Sequence, residues 1–184
     1  MKKIILLCIM SLVCSIGIQA QTDKKELTKK EKKEAQAALD MSLYNEAKSA
    51  MENKSFVLEA DRVIFKRGVT AYVTSSTNFV AVEGDRATVQ VAFNIPASGP
   101  NGIGGITVEG TPSSYKIKED KKGNVTLTMS VSGVGISAQV TIRLTEGNNN
   151  ATVDIYPNFN SNRMTLTGSL IPFENSRIFK GRSL

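Results

Sequence analysis

The chain has 184 residues, 41% of them hydrophobic and 22% charged, a net charge of +6, and no histidine or tryptophan. Without an imidazole, Ser–His–Asp and Cys–His catalysis lack their usual base, and zinc loses one of its two commonest ligands. The positive charge is modest and suits a general attraction to anionic envelope surfaces; nucleic acid is not expected as a partner, because no segment gathers basic and stacking aromatic residues together.

Lys2 and Lys3 precede an apolar run from Ile4 to Val13, and a short stretch from Ser15 to Ala20 leads into Gln21. This order of basic, apolar and small residues predicts a secretory signal peptide over residues 1–20, cleaved after Ala20. The apolar run is about half the ~20 residues that a membrane-crossing helix needs, so no transmembrane anchor is expected. The expected location is the periplasm or the cell exterior. Cys8 and Cys14 both fall in this segment, so the mature chain of about 160 residues is one domain without thiols or disulfides. Lipid attachment at Cys14 is the less favoured outcome, since Val13 stands where lipoprotein signals usually carry a small residue.

Residues 21–34 form a charged leader of interleaved Lys and acids. Thr28 followed by Glu31 has the spacing of a capping box and places a helix start there. Leu39, Leu43, Ala47, Ala50 and Met51 then recur at helical spacing with Tyr44 on the flank, so only the second half of this helix is expected to dock. The single β-rich domain, with this helix at its front, is assigned to residues 35–184.

From Phe56 onward the period changes to two. Phe56, Leu58 and Ala60 alternate with polar-face neighbours, as do Ala87, Val89, Val91 and Phe93. Val125, Leu127, Met129 and Val131 oppose Thr126, Thr128, Ser130 and Ser132, and the run from Ile136 to Leu144 continues the pattern. Val153, Ile155, Met164, Leu166 and Leu170 complete it. Strands with one apolar and one polar face belong to antiparallel sheets covered on one side.

Short turns join these strands at Gly84-Asp85, Lys122-Gly123-Asn124, Gly147-Asn148-Asn149 and Asn158 to Asn162. No second helix is available for parallel crossovers. The fold class is therefore mainly β, an antiparallel meander of about eight to ten strands preceded by one helix, forming a sandwich or a barrel. Small residues at Ala60, Ala81, Ala138 and Gly168 leave room for a cavity in a barrel. A tightly packed sandwich is the preferred arrangement of the two.

Three features bear on function. The run Ser98-Gly99-Pro100-Asn101-Gly102-Ile103-Gly104-Gly105 is Gly-rich, but it lacks the Gly-Lys-Ser/Thr ending and following helix of a nucleotide loop. Asn101, Gly102 and Gly104 are instead candidate ligand or partner contacts, together with the aromatic pair Tyr156 and Phe159. Glu59, Glu109 and Asp154 are the acids in strand-like segments and the material for a carboxylate hydrolase. Glu83, Asp85, Glu119, Asp120 and Glu146 adjoin turns and are expected to be solvated. No catalytic residue, metal site or cofactor is assigned.

Phe56-Val57-Leu58-Glu59-Ala60-Asp61, Asn78-Phe79-Val80, Gly102-Ile103-Gly104-Gly105-Ile106-Thr107-Val108-Glu109-Gly110 and Tyr115-Lys116-Ile117 resemble a family of secreted Bacteroides-type proteins, the domain of unknown function 4251, from about Ala35 to Lys180. The resemblance implies an exported, largely β protein of the bacterial envelope and supplies no catalytic residue. The expected function is a non-catalytic binding or interaction module whose partner is an envelope protein, a glycan or an apolar ligand. The alternative is the carboxylate-dependent hydrolase.

Overall fold

The computed structural model describes residues 28–92, 105–133, 137–158 and 163–181. The predicted signal peptide, Phe93, Asn101, Gly102, Gly104, Ile136 and Phe159 lie outside the described residues.

Helix α1 runs from Lys29 to Glu52. It starts where the capping box places it. The Thr28 backbone N–H donates to Glu31 at 2.7 Å, and the Glu31 N–H donates to the Thr28 hydroxyl at 3.3 Å. Its apolar stripe is shifted from the expected one: Tyr44, Ala47, Ala50 and Met51 are buried, Leu43 is half-buried and Leu39 is 54% exposed. Tyr44 thus belongs to the docking face, and Leu39 does not.

Nine strands follow among the described residues: β1 (Ser55–Phe65), β2 (Thr70–Tyr72), β3 (Phe79–Glu83), β4 (Arg86–Ala92), β5 (Gly105–Glu119), β6 (Val125–Ser132), β7 (Ser137–Leu144), β8 (Asn150–Pro157) and β9 (Met164–Pro172). Every neighbour pair is antiparallel, and β3 to β9 pair in sequence order. The sheet closes when β9 pairs with β1, from Phe56↔Pro172 to Phe65↔Met164. Eight strands therefore make a closed barrel. β2 lies outside this count, pairing with the far half of β1 (Arg62↔Tyr72 to Ile64↔Thr70) beyond the point where β3 ends.

The sandwich preferred on sequence grounds is not the arrangement found. Bending is supplied at two irregularities, one between Ala60 and Arg62 against β9, the other between Ser113 and Lys116 against β6, where Ser114 has a φ of 53°. Close approach of backbones does the rest. A Cβ on Gly168 would land on the Glu59 carbonyl oxygen, and one on Gly110 would land on that of Ser132. With these devices the sheet closes on itself through the β1–β9 pairing, which removes the need for a second layer.

The predicted apolar face points inward. Phe56, Leu58, Leu127, Met129, Ile142, Leu144, Leu166 and Leu170 are buried in one cluster with Tyr44, Ala47, Ala50 and Met51 of α1. Eight strands leave an interior just wide enough for side chains of this size. Ala60 and Ala138 belong to this cluster, but Ala81 does not: it points outward into a second cluster with Val57 and Phe79. Gly168 serves the backbone approach at the bulge rather than making room.

That second cluster explains why β1 and β3 are buried on both faces. After β9, a short 3-10 turn at Phe173–Asn175 redirects the chain, and residues 176–181 run back over the outside of β3 and β4. Phe173 and Ile178 pack on Val57, Phe79 and Ala81. The apolar runs Phe56-Val57-Leu58 and Phe79-Val80-Ala81-Val82 are the sequence trace of this double burial.

Helix α1 serves the barrel end where β1 starts and the β5–β6 and β7–β8 turns lie. The Tyr44 hydroxyl donates to the Gly123 carbonyl in the first of those turns. The Tyr115 hydroxyl donates to the Met51 carbonyl, and Lys48 Nζ meets Glu119 Oε2 at 2.7 Å. Burial pushes the Tyr115 phenol well above its ordinary range, so it stays a donor.

Candidate functional site

Among the described residues, two buried polar side chains on the outward face of the sheet each gather a cluster of hydrogen-bond partners. The first is Gln90 on β4, wholly buried under the C-terminal segment. Its Nε2 donates to the carbonyls of Thr77 (3.0 Å) and Phe179 (2.8 Å). Its Oε1 accepts from the Thr107 hydroxyl (2.9 Å) and the Gly181 N–H (2.8 Å). An amide has two donors and two acceptor lone pairs, and all four are used. Asn78, one strand away, similarly accepts the Ala92 N–H on its Oδ1 at 2.8 Å.

The second is Asp154 on β8, 2% exposed on the outward face. Strand register places it between Thr141 of β7 and Thr165 of β9. Arg143 Nη1 reaches its Oδ2 at 2.6 Å, while Arg163 Nη2 at 3.1 Å and the Thr165 hydroxyl at 2.6 Å reach its Oδ1. Burial pushes this carboxyl up, but the hydrogen bonds from Thr165, Arg143 and Arg163, with the Arg163 charge, outweigh burial and hold it below its ordinary value. Both arginines stay about half exposed, at 55% and 52%. Arg163 also lies 5.3 Å from the centroid of the Tyr156 ring, and Tyr156 is 40% exposed.

The three acids nominated for hydrolysis do not meet. Glu59 accepts the Arg177 N–H at 3.0 Å, and Glu109 pairs with Lys180 at 2.9 Å, so both tie down the C-terminal segment. The register Glu59↔Phe79↔Gln90↔Thr107 puts Glu109 three strands from Glu59 and two residues further along. At ~4.8 Å per strand that is about 14 Å of lateral separation alone. Asp154, opposite Thr165 and through it Ile64, sits two strands from β1 and five residues beyond Glu59. A working glycosidase pair stands ~5–10 Å apart, with one acid shifted up. Asp154 is shifted down.

Of the predicted contact residues, only Tyr156 is described. Nothing in the sequence alone distinguishes Arg143, Arg163 and Gln90, because what sets them apart is cross-strand register. A strand-borne acid on a Thr-rich face, Thr152-Val153-Asp154, was the available hint. Among the described residues no group of three or more His, Cys, Asp or Glu could hold a metal ion, and no helix is long and apolar enough to cross a membrane.

Residues 38–170 match the family model of the domain of unknown function 4251 (DUF4251). The chain is similar to a DUF4251 family protein from Bacteroides eggerthii DSM 20697 whose crystal structure is known at 1.95 Å, with 57% identity and a TM-score of 0.69 over 80% of this chain and 99% of that one. No curated protein matches the chain. With a family match over most of the chain and a solved relative of the same family, this protein belongs to the DUF4251 family.

Proposed function

We propose that the protein is exported to the bacterial envelope and acts there as a non-catalytic binding module. The observation that carries this reading is the fate of the acids: Glu59, Glu109 and Asp154 are dispersed around the barrel and each is engaged by structural partners. The Lys2-to-Ala20 segment, with the layout of a signal peptide, supports export. Binding is assigned to Tyr156 on β8, which is 40% exposed, and to Asn101, Gly102, Gly104 and Phe159, which follow β4 and β8 in the sequence and lie outside the described residues. The partner is an envelope protein, a glycan or an apolar ligand.

The test has two parts. N-terminal sequencing of protein recovered from a soluble envelope fraction should begin at Gln21; a lipid-modified Cys14 would overturn soluble export. Incubation with glycoside, ester and peptide substrates should give no turnover. Hydrolysis abolished by Glu59→Gln, Glu109→Gln or Asp154→Asn would replace the binding module with the carboxylate hydrolase.

A further inference from the structure

Deepening the binding-module reading and resting on it, we infer that Arg143, Arg163 and Tyr156, seated on the buried Asp154, form a site for an acidic saccharide, that is, a sugar bearing a carboxylate or sulfate group. A guanidinium presents five N–H donors in a rigid plane. Each arginine spends one Nη on Asp154, which fixes the plane and leaves the other donors of two half-exposed forks at the surface. The carboxylate beneath is itself locked by Thr165, so the two cations are held in place before any ligand arrives. Oxyanions take such forks in bidentate fashion.

The surroundings select the class of ligand. Thr126 of β6 faces Arg143, and Arg143 faces Thr152 of β8, which in turn faces Thr167 of β9. These threonines are half-buried and present hydroxyls rather than the apolar anchors that protein interfaces use. Lys118 lies opposite Thr126 and Lys116 opposite Thr128, extending the positive charge over two more strands. Tyr156 adds a ring at the Arg163 end. A face of fixed cations, hydroxyls and one aromatic fits a charged sugar chain, with charge complementarity supplying selectivity over neutral ones.

The full exported chain is titrated calorimetrically with oligogalacturonate, dextran sulfate, neutral dextran and polyglutamate. One of the two acidic saccharides should bind, and which one distinguishes carboxylate from sulfate; neutral dextran and polyglutamate should not. Arg143→Gln and Arg163→Gln should each weaken binding at least about tenfold, and Tyr156→Ala, which removes an exposed ring and leaves the ion pairs, should weaken it too. Lys121→Gln with Lys122→Gln, on the β5–β6 turn, should not. The site is overturned by equal binding of dextran, by preference for polyglutamate, by equal loss in the lysine control, or by wild-type affinity in both arginine variants. Absence of binding to both acidic polymers also overturns the site, but capture of other envelope material would leave the module reading standing. New reducing ends during the titration would overturn the module reading itself.

Discussion

Tyr44 on α1 donates its hydroxyl hydrogen to the backbone carbonyl of Gly123, 79 residues later in the β5–β6 turn. The bond ties α1 to a turn of the barrel, and the same face of α1 sends Met51 into the core at 0% exposure. Tyr44→Phe should cost about 1 kcal/mol, the net value of one such bond, and Met51→Ala about 2–5 kcal/mol. Leu39→Ala, at an exposed position, should be nearly neutral. Urea unfolding of the three variants checks the ranking; equal losses at Leu39 and Met51 would contradict the docking face.

Gln90 is the clasp of the C-terminal segment. Gln90→Ala leaves the Gly181 N–H and the Phe179 carbonyl without their partner, and should cost roughly 2–4 kcal/mol. The loss is expected to be local as well as global. Amide hydrogen exchange at Phe179 and Gly181 should accelerate well before that of β7 and β8, and protection unchanged at those two residues would show that Gln90 does not hold the segment.

Asp154 has a pH signature. Its folded pKa is depressed, so it stabilises the fold above its unfolded value and loses that contribution as pH falls through the folded one. Stability should therefore decline on the acid side of the ordinary carboxylate range. Asp154→Asn should lower stability at neutral pH by roughly 1–3 kcal/mol and flatten this acid limb. Melting temperatures of the two proteins from neutral to acid pH should converge; parallel curves would mean that other carboxylates carry the dependence.

Gly168 marks where the barrel closes. Gly168→Ala drives a Cβ into the Glu59 carbonyl across the β1–β9 seam, and backbone cannot swing aside as a side chain does. The cost should reach the upper end of ~1–3 kcal/mol for overpacking. A circular dichroism melt with an unchanged midpoint would show that the seam has slack.

Much of this barrel is legible in the chain because its strands alternate cleanly. Val125 to Val131 and Ala138 to Leu144 read inward at every second position, and the turns at Gly84, Gly123 and Gly147 lie where positive φ angles of 60°, 86° and 87° require them. What stayed hidden depends on long-range partners. β2 has three residues and no period of its own to detect. Closure rests on a bulge and on Gly168 meeting Glu59, neither of which has a local signature. The described C-terminal residues 176–181 have no regular structure, so nothing in their pattern announces that they would bury Phe79. The Asp154 cluster joins residues from β7, β8 and the start of β9, and only register brings them together.

The pairing of β1 with β9 has a consequence for how the chain is made. Phe56 finds Pro172, and Phe65 finds Met164, only after all the strands between them have been synthesised. Until then β1 has one exposed edge and no means of sealing the core, so the first strand waits for the last. Such non-local closure makes folding slow relative to helical proteins of the same size. It also leaves the unfinished sheet open to pairing with other chains. A ribosome stalled before Met164 would hold a chain with all of its early strands and no barrel.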